Sequence, residues 1–423
     1  MARFDLRAAL PRHVVQLSPD SRAESGEILC SITADGEDAG CVGFRDRDGT
    51  RIVETLIVAP KYRRQRIGSH VLRWISRAAV ARGGRRIEAS IPDRNAAAMN
   101  VFRAAGFDLA RAMGNRVRMS RQLTPLITVQ PPSPAFASLR GTNVVTQHIA
   151  FGEAVAAALR SVPGVQLVLG LGSIGREFGD RNSDIDLFVI GRGHAIRTIP
   201  SGERWIAGFD FDVFVFDLDE APYAGWDDER RQAVGEGAVL WADSARAVRE
   251  LRRATYMRRS EQRARIAETL LSLSWVGFHP PSLNGRTEFG YYWALPSDMW
   301  VERGHLASAH ASVDEAIGFL LALLFFANQQ FLASRKWRRY LAEWLPWTPS
   351  RFPARLSAIE AGSRDEAGFT ARAQALLELI EETFAYVRDS GLVPRDVYRA
   401  YQLTTPDYSS HNALRLRKVH ADL

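Results

Sequence analysis

The chain has 423 residues, a length that predicts two or three domains. Its hydrophobic share of 46% is that of a globular protein, and its only two cysteines, Cys30 and Cys41, exclude a disulfide scaffold and a cysteine-rich zinc centre. The first residues lack the apolar stretch of a signal peptide, and the longest apolar run, Ile317–Ala327, is shorter than the roughly 20 residues of a transmembrane helix. These features predict a soluble, cytoplasmic protein without a membrane partner.

The net charge of +7 is unevenly distributed. Residues 1–122 carry 22 Lys+Arg against 13 Asp+Glu, a balance of +9, and residues 123–243 carry 9 against 16, a balance of −7. Residues 244–423 carry 24 against 19, a balance of +5. A basic first third favours an anionic partner such as CoA or nucleic acid, whereas an acidic middle third favours a metal-loaded site and a cationic acceptor.

The first recognisable pattern occupies residues 53–107. The elements predicted from composition and periodicity are a strand over Val53–Pro60, a basic turn over Lys61–Ser69, a helix over Ser69–Arg82, a strand over Arg86–Ile91 and a helix over Asn95–Ala105. A strand that leads through a basic, glycine-containing turn into a helix is typical of a pyrophosphate site, because the free N–H groups of a helix start favour anions.

This pattern resembles the GNAT N-acetyltransferase superfamily. Its signature of arginine and two glycines falls on Arg63–Gly68, with Arg66 in place of the first glycine, and Asn95, Ala98 and Gly106-Phe107 match its second helix. The resemblance implies a mixed sheet with helices in a domain over residues 1–122, and acetyl-CoA as its cofactor. The residues implied to bind this cofactor are Ile57, Val58, Arg63, Arg64, Gln65, Arg66, Ile67, Gly68, Ser69 and Asn95.

Three features leave acetyl transfer itself open. Phe102 stands where the family often has a tyrosine acid, and it has no proton to give. Glu54 is the candidate base, provided that burial raises its pKa. Residues 1–28 show no sign of the two acceptor-binding helices of the family. The alternative is a domain that senses acyl-CoA without transferring it.

A proline-rich, nearly uncharged stretch follows, and it predicts a linker over residues 123–143. A domain over residues 144–243 then begins with a helix, Gln147–Arg160, and a buried strand, Val165–Gly170. Its last strand is expected at Gly237–Ala242.

Residues 171–187 read LGSIGREFGDRNSDIDL and carry the second pattern. Gly172-Ser173 opens a helix, where glycine lets the backbone approach phosphate oxygens and the Ser173 hydroxyl adds a donor. Asp184 and Asp186 share one face of the next strand because side chains alternate with period two. Paired carboxylates repel unless a cation neutralises them, and Mg²⁺ is the cation they suit.

A third carboxylate is expected from the aromatic run Trp205–Asp217. Asp210 and Asp212 lie on one face of this strand. We favour Asp212, because it sits deeper in the apolar run, and keep Asp210 as the alternative.

The whole constellation resembles the polymerase-beta-like nucleotidyltransferases, in particular their minimal and antibiotic-modifying branches. Gly172, Ser173, Arg176, Ser183, Asp184 and Asp186 fill the positions of that motif, and Glu177 replaces a frequent glycine. The resemblance implies a nucleoside triphosphate donor, with ATP expected, and Mg²⁺ held by Asp184, Asp186 and Asp212 as catalytic and metal residues. Gly172, Ser173, Arg176 and Ser183 would bind the nucleotide.

Residues 244–423 are predicted to form a helical domain. The segments expected to be helical are Ser244–Val276, Val301–Ser334, Lys336–Trp344 and Asp365–Ser390. In the antibiotic-modifying relatives such a domain closes the acceptor cleft and often supplies a glutamate base. Glu302 and Glu315 are the candidates here, and Lys336 is a candidate nucleotide-binding cation.

The sequence thus predicts a multi-domain α/β protein that transfers a nucleoside monophosphate, with AMP expected, to a hydroxyl of a small, aminoglycoside-like acceptor. Nucleotidyl transfer to tRNA or to a protein is the alternative. The sequence leaves the oligomeric state open.

Overall fold

The computed structural model describes residues 5–22, 27–283 and 295–393. The described residues of Met1–Asp227 and Ala233–Thr255 form one compact unit, and those of Asp228–Gln232 and Tyr256–Leu423 form a second.

The first unit contains two sheets, and the first of these has seven strands in the order β1-β2-β3-β4-β5-β7-β6. These strands are β1 (Val15–Arg22), β2 (Ile28–Ala34), β3 (Glu37–Arg47), β4 (Thr50–Val58), β5 (Arg86–Pro92), β6 (Asp108–Met113) and β7 (Arg116–Gln122). Neighbouring strands are antiparallel except for β4 and β5, which are parallel. Only residues 23–27 separate β1 from β2, too few for the two acceptor-binding helices of the GNAT family, as the sequence predicted.

Helices α1 (Ile67–Val80) and α2 (Ala96–Ala104) accompany this sheet. The apolar stripe predicted for α1 is buried in the core of the sheet, including Val71, Leu72 and Ile75. Cys30 is buried and Cys41 half-buried, and both are free thiols. Cys30 pairs with Val42 in the strand register, so Cys41 faces the opposite side of the sheet.

The second sheet has six strands in the order β11-β12-β10-β9-β13-β8. They are β8 (Ile127–Thr128), β9 (Val165–Gly170), β10 (Ile185–Gly191), β11 (Gly202–Ile206), β12 (Phe209–Asp217) and β13 (Ala238–Ala242). The associated helices are α3 (Val145–Leu159), α4 (Gly172–Gly175), α5 (Asp228–Gly235) and α6 (Ala245–Ala254). Strands β10 and β12 are parallel, whereas the other pairs are antiparallel.

Two elements of this sheet differ from the sequence prediction. Strand β8 lies inside the stretch expected to be a linker and pairs with β13. The run Trp205–Asp217 is the end of β11, a turn and β12, and the turn residues Ala207 and Gly208 have φ of 53° and 84°. A glycine beside alanine gave the only sequence signal for this turn.

The two sheets are joined inside the first unit by α1 and α3, which pack on each other. The His70 ring lies 4.1 Å from the Phe151 ring, measured between centroids. Glu153 of α3 accepts hydrogen bonds from Arg77 of α1 and from Arg121 of β7. We call the residues His70, Arg77, Arg121, Phe151 and Glu153 the α1–α3 seam.

The described part of the second unit is helical. Besides the start of α5, its helices are α7 (Arg259–Trp275), α8 (Met299–Glu302), α9 (Leu306–Ala327), α10 (Arg335–Ala342), α11 (Phe352–Glu360) and α12 (Glu366–Asp389). The segment 244–276, expected to be one helical stretch, is broken at residues 255–258. There the Glu261 side chain accepts the backbone N–H of Arg258 and starts α7.

Helix α9 contains the apolar run seen in the sequence. At 22 residues it is longer than that run, and by length and hydropathy alone it could cross a membrane. However, 72% of its most apolar window is buried inside the fold, where α9 packs against α7 and α12. This burial is that of the core helix of a bundle, as the sequence predicted.

Candidate functional sites

The first candidate site lies where two parallel strands part. Strands β4 and β5 pair only from Thr50 and Arg86 to Val53 and Ala89, although β4 continues to Val58 and β5 to Pro92. Beyond Val53, the edge of β4 that faces β5 is therefore no longer occupied by that strand. The opening gives an extended ligand access to backbone groups of β4.

The loop over residues 60–69 connects β4 to α1 and ends at this opening. Arg64 and Arg66 both have φ of 63°, and Arg66 is the N-cap of α1. This left-handed conformation favours glycine, which the GNAT motif has at the position of Arg66. The loop thus keeps the conformation of the motif without its first glycine, and the first turn of α1 directs unpaired N–H groups outward.

Gly68 lies close to α2. A Cβ at this position would lie 3.0 Å from Cγ1 of Val101 on α2 and 3.7 Å from Cγ2 of Val58 on β4. The first distance is tight, so Val101 would have to shift slightly, whereas the second is an ordinary van der Waals contact. The second glycine of the motif thus affects how closely the helix start approaches α2.

Other predicted cofactor residues have partners in the fold. Arg63 donates from Nε to the Val58 carbonyl, 3.1 Å away, and Ser69 donates its hydroxyl to the Arg66 carbonyl at 3.0 Å. The Asn95 side chain caps α2 by accepting the Ala98 N–H at 3.0 Å. Ile57 is 54% exposed. These contacts leave the backbone of the loop and the exposed side chains of Arg64 and Arg66 as its main free surface.

The catalytic prediction for this site is not supported by the position of Glu54. The side chain is exposed and lies 2.7 Å from Arg45, so the burial that the role of a base required is absent. Phe102 is only 5% exposed and packs edge-on against Phe107 with ring centroids 4.9 Å apart. It is therefore a core residue, and a proton donor is not found at this position.

A network that sequence reasoning missed holds this loop. His13 lies between Asp35, in the turn from β2 to β3, and Gln65 of the loop. Tyr62 donates its hydroxyl to Glu37 at 2.9 Å, and Lys61 binds the same carboxylate. A lone histidine before β1 carried no signal in the sequence, because its partners come from distant segments.

The second candidate site is built from neighbouring strands of the second sheet. Asp186 of β10 is the register partner of Asp212 of β12 in a parallel pair. Register partners point to the same face, so Asp186 and Asp212 lie side by side. Asp184 comes directly before the first residue of β10. Asp210 lies on the same face but is exposed, so the geometry favours Asp212.

The turn at Gly172 and Ser173 lies against this cluster. Its φ is 49°, and a Cβ there would lie 2.4 Å from Oδ2 of Asp186. A side chain would have to displace the carboxylate. Glycine is thus required at this position both by the backbone conformation and by the approach to Asp186.

The carboxylates influence one another electrostatically. Burial raises the pKa of Asp212, and the nearby Glu203 and Asp184 raise it further. Among the described residues, no three carboxylate, thiol or imidazole groups are arranged as a ligand set. Carboxylate oxygens are the donors that Mg²⁺ prefers, so the chemistry of these side chains suits Mg²⁺, but their arrangement here is not that of a formed site.

Ser173 has a different contact from the one expected. Its hydroxyl donates to the Asp184 carbonyl at 3.0 Å and lies 2.8 Å from Nδ1 of His148. Since the single hydroxyl proton goes to Asp184, Nδ1 of His148 must be the donor to Ser173. Burial lowers the pKa of His148 to about 4, so the ring is neutral at pH 7. His148, which carried no signal in the sequence, connects α3 to Ser173, and Ser173 in turn binds the backbone carbonyl of Asp184.

The remaining motif residues stabilise the turn. Arg176 binds Glu236 at 2.7 Å, so its guanidinium is engaged within the fold. Ser183 donates to Asp180 at 3.2 Å and accepts the Asp180 N–H at 3.1 Å. Glu177, which replaces a frequent glycine, has φ of 58°. As at Arg66, a residue with a long side chain adopts a backbone conformation that favours glycine.

The candidates in the second unit lie on three of its helices. Lys336 is exposed on α10, and Glu302 is the last residue of α8. Glu315 of α9 lines a cavity of about 910 Å³ together with Arg265, Phe319 and Arg335. The sequence did not indicate this cavity.

A family match covers the part of the chain that contains the first candidate site. Residues 4–107 match the family model described as Acetyltransferase (GNAT) family, so the N-terminal part of the chain is a GNAT acetyltransferase domain. The match ends at residue 107 and does not extend to the second sheet. No curated protein matches the chain.

Solved structures match about a quarter of the chain. The PaiA N-acetyltransferase of Thermoplasma acidophilum in complex with coenzyme A is 15% identical, with a TM-score of 0.22, and the match covers 23% of this chain and 61% of that one. A Bacillus subtilis acetyltransferase in complex with CoA is 12% identical, covering 26% and 99% with a TM-score of 0.24. A GNAT acetyltransferase of Elizabethkingia anophelis with acetyl-CoA bound gives the same four values.

Proposed function

We propose that the second sheet of the first unit is a nucleotidyltransferase site, coupled in one chain to a domain that binds acyl-CoA. The observation that supports transfer most directly is the parallel register pair of Asp186 and Asp212, with Asp184 directly before the same strand. Such a cluster is costly in a folded protein unless it holds a cation. Gly172, in contact with Asp186, brings a helix start to the same place.

Each residue has a role in this proposal. Asp184, Asp186 and Asp212 hold Mg²⁺, which when bound neutralises their charge and that of a triphosphate. The turn at Gly172 and Ser173 receives the phosphates. The acceptor hydroxyl oxygen forms a bond to the α-phosphorus while the bond to the β-phosphate oxygen breaks, and pyrophosphate leaves. Asp212 accepts the hydroxyl proton.

The surroundings favour a cationic small acceptor. Glu203 is the register partner of Asp212 on the strand next to it, and Asp210 lies on the same face. With a balance of −7 over residues 123–243, this face repels a polyphosphate acceptor such as RNA. An amine-bearing molecule of the aminoglycoside class, with ATP as donor, meets these conditions.

The test is incubation of the full chain with labelled ATP, GTP, CTP or UTP and magnesium against aminoglycosides, tRNA and protein. We expect label on the small acceptor, and its loss in Asp186→Asn. Asp108→Asn is the matched control, because Asp108 is an exposed acid of β6 in the other sheet. Full transfer by the Asp186 variant would refute the assignment. Label on tRNA, with a steep salt dependence, would establish the alternative acceptor.

We propose acyl-CoA as the ligand of the GNAT domain, supported by the parting of β4 and β5 and by the loop at the start of α1. The match to the acetyltransferase family supports acetyl transfer by this domain. Sensing of acyl-CoA without transfer is the alternative, because Glu54 is exposed and Phe102 carries no proton. The experiment measures nucleotide transfer with and without acetyl-CoA, and acetyl transfer to amines in parallel. Acetylated product would establish transfer; a change in nucleotide transfer without it would establish sensing.

A further inference from the structure

The side chain of His13 contacts both the β2–β3 turn and the loop over residues 60–69, which we call the phosphate-binding loop after its proposed function. Nδ1 of His13 lies 2.5 Å from Oδ2 of Asp35, in the turn between β2 and β3, and its Nε2 contacts Oε1 of Gln65. Its ring stands edge-on to Tyr62, with centroids 5.2 Å apart. Gln65 lies between Arg64 and Arg66, the two loop residues with left-handed backbone.

The partners determine the protonation state of His13. Gln65 donates from Nε2 to the Lys61 carbonyl at 2.8 Å, so its Oε1, which only accepts, faces the imidazole. The Asp35 carboxylate also only accepts, and its Oδ1 takes the Val14 N–H at 2.8 Å. Both ring nitrogens of His13 must therefore donate, and only the imidazolium has two N–H groups.

We propose that His13 is a positioning residue for the phosphate-binding loop, which it ties as an imidazolium to the β2–β3 turn through Gln65. This inference rests on the proposed binding of acyl-CoA at that loop. A neutral imidazole keeps one N–H, and the charged Asp35 retains it. Oε1 of Gln65 then faces a lone pair of Nε2, and the hydrogen bond between His13 and Gln65 is lost. Without this hydrogen bond, which we call the tie, the loop no longer holds its N–H groups in place for pyrophosphate.

The groups around the ring raise the pH at which His13 loses its proton above that of an ordinary histidine. The hydrogen bond that His13 donates to Asp35 raises the pKa of His13. Burial and Arg12 lower this pKa and Gln65 raises it, with a net rise. Lys61 and Glu37 pair with each other beyond Tyr62. Because the pKa is raised in the fold, the tie is fully present below the unfolded value of about 6.5 and is lost as the pH rises through the folded value.

The experiment titrates the full chain with CoA by calorimetry between pH 6 and pH 9, beside Asp35→Asn. An asparagine amide donates to Nδ1 of the neutral ring, which leaves Nε2–H for Gln65, and its oxygen still accepts the Val14 N–H. In this variant Nε2 of His13 carries a proton in both the neutral and the charged ring, so its hydrogen bond to Gln65 is kept across the pH range. We expect wild-type affinity, relative to the variant, to fall about 3- to 10-fold across the range, the value of one hydrogen bond. Titration of CoA itself cancels in the ratio.

His13→Ala should bind CoA weakly, with no loss relative to Asp35→Asn as the pH rises. A ratio of wild type to Asp35→Asn that is constant with pH would overturn the inference. Amide hydrogen exchange of residues 63–68 without ligand, again as a ratio to Asp35→Asn, should rise with pH in the wild type. If CoA binds at no pH, the proposed ligand is wrong, and the exchange ratio alone decides the role of His13.

Discussion

The phosphate sites that we propose on the two sheets of the first unit differ in the chemical groups that form them. In the first, the loop 60–69 offers backbone N–H groups, and arginine at position 66 takes the conformation that suits glycine. In the second, the site consists of carboxylate side chains whose spacing depends on the register of β10 and β12. A backbone site tolerates a change of side chain as long as the conformation persists, whereas a side-chain site does not.

Substitution of Gly172 should have the strongest effect on activity, and it tests this contrast between the two sites. In Gly172→Ala, the new Cβ displaces Asp186, and a misplacement of this size lowers the rate on the order of 10²-fold. The measurement is nucleotide transfer at saturating ATP and acceptor. Gly193→Ala is the matched control, because Gly193 has φ of 83° but nothing within 4 Å of a Cβ. Equal loss in both variants would show that backbone strain, not Asp186, is responsible.

The α1–α3 seam should respond to Glu153→Gln. The Glu153 side chain is only 10% exposed, and the variant leaves Arg77 and Arg121 without a counter-charge, so we expect the free energy of unfolding to fall by about 3–5 kcal/mol. Urea unfolding measures it. Glu250→Gln, in an exposed pair with Arg246, is the control and should change little.

The same variant has a pH signature. Burial raises the pKa of Glu153, but Arg121 and Arg77 outweigh it and hold the pKa below its usual range. The stability from this group is therefore present above the unfolded pKa of about 4.3 and is lost as the pH falls below it. The wild type should lose stability below that pH, and Glu153→Gln should lose less. Parallel curves would contradict the ion-pair role.

A smaller effect of opposite sign is expected at His70. Among the residues that the structure describes, neither buried ring nitrogen has a hydrogen-bond partner, so His70→Leu should stabilise the first unit by about 1–3 kcal/mol. Burial lowers the pKa of His70 to about 3, hence the wild type loses stability as the pH falls from 6.5 toward 3, and the variant should not share that loss. Thermal unfolding at pH 7 and pH 5 tests this. Destabilisation at pH 7 would show that the ring packs better than its polarity costs.

The smallest effect is expected at Arg66. Arg66→Gly relieves the left-handed backbone, but it also gives the unfolded chain more freedom, so stability should rise by no more than about 1 kcal/mol. CoA affinity should stay within about threefold, because the backbone and not the guanidinium makes this part of the loop. A loss of tenfold or more would mean that the guanidinium binds phosphate directly, and the contrast between the two sites would weaken.

Local signals in the sequence placed most elements and the carboxylate cluster. Alternation put Asp184 and Asp186 on one face, and a glycine next to a serine indicated the turn against them. In α1, the spacing of Val71, Leu72 and Ile75 predicted the buried face. These features depend on residues that are close in the chain, so their periodicity is visible without the fold.

The features that sequence could not predict depend on distant partners. The parting of β4 and β5 follows from long-range pairing, and His13 acquires its role from Asp35 and Gln65. Glu153 and Arg77 gave no signal in the sequence, because their ion pair joins two helices that are far apart in the chain. The hydroxyl of Ser173 was assigned to phosphate because nothing in the sequence indicated His148 as a neighbour.

Helix α1 belongs to two structures at once. Its first turn completes the loop 60–69, while His70 and Arg77 are covered by α3. A fragment that ends at residue 122 lacks α3, so it would expose to water the face of α1 that α3 covers. This face lies beside the loop 60–69, and the fragment would therefore be a poor test of CoA binding at that loop. A useful minimal fragment has to retain α3 and the sheet on which it lies.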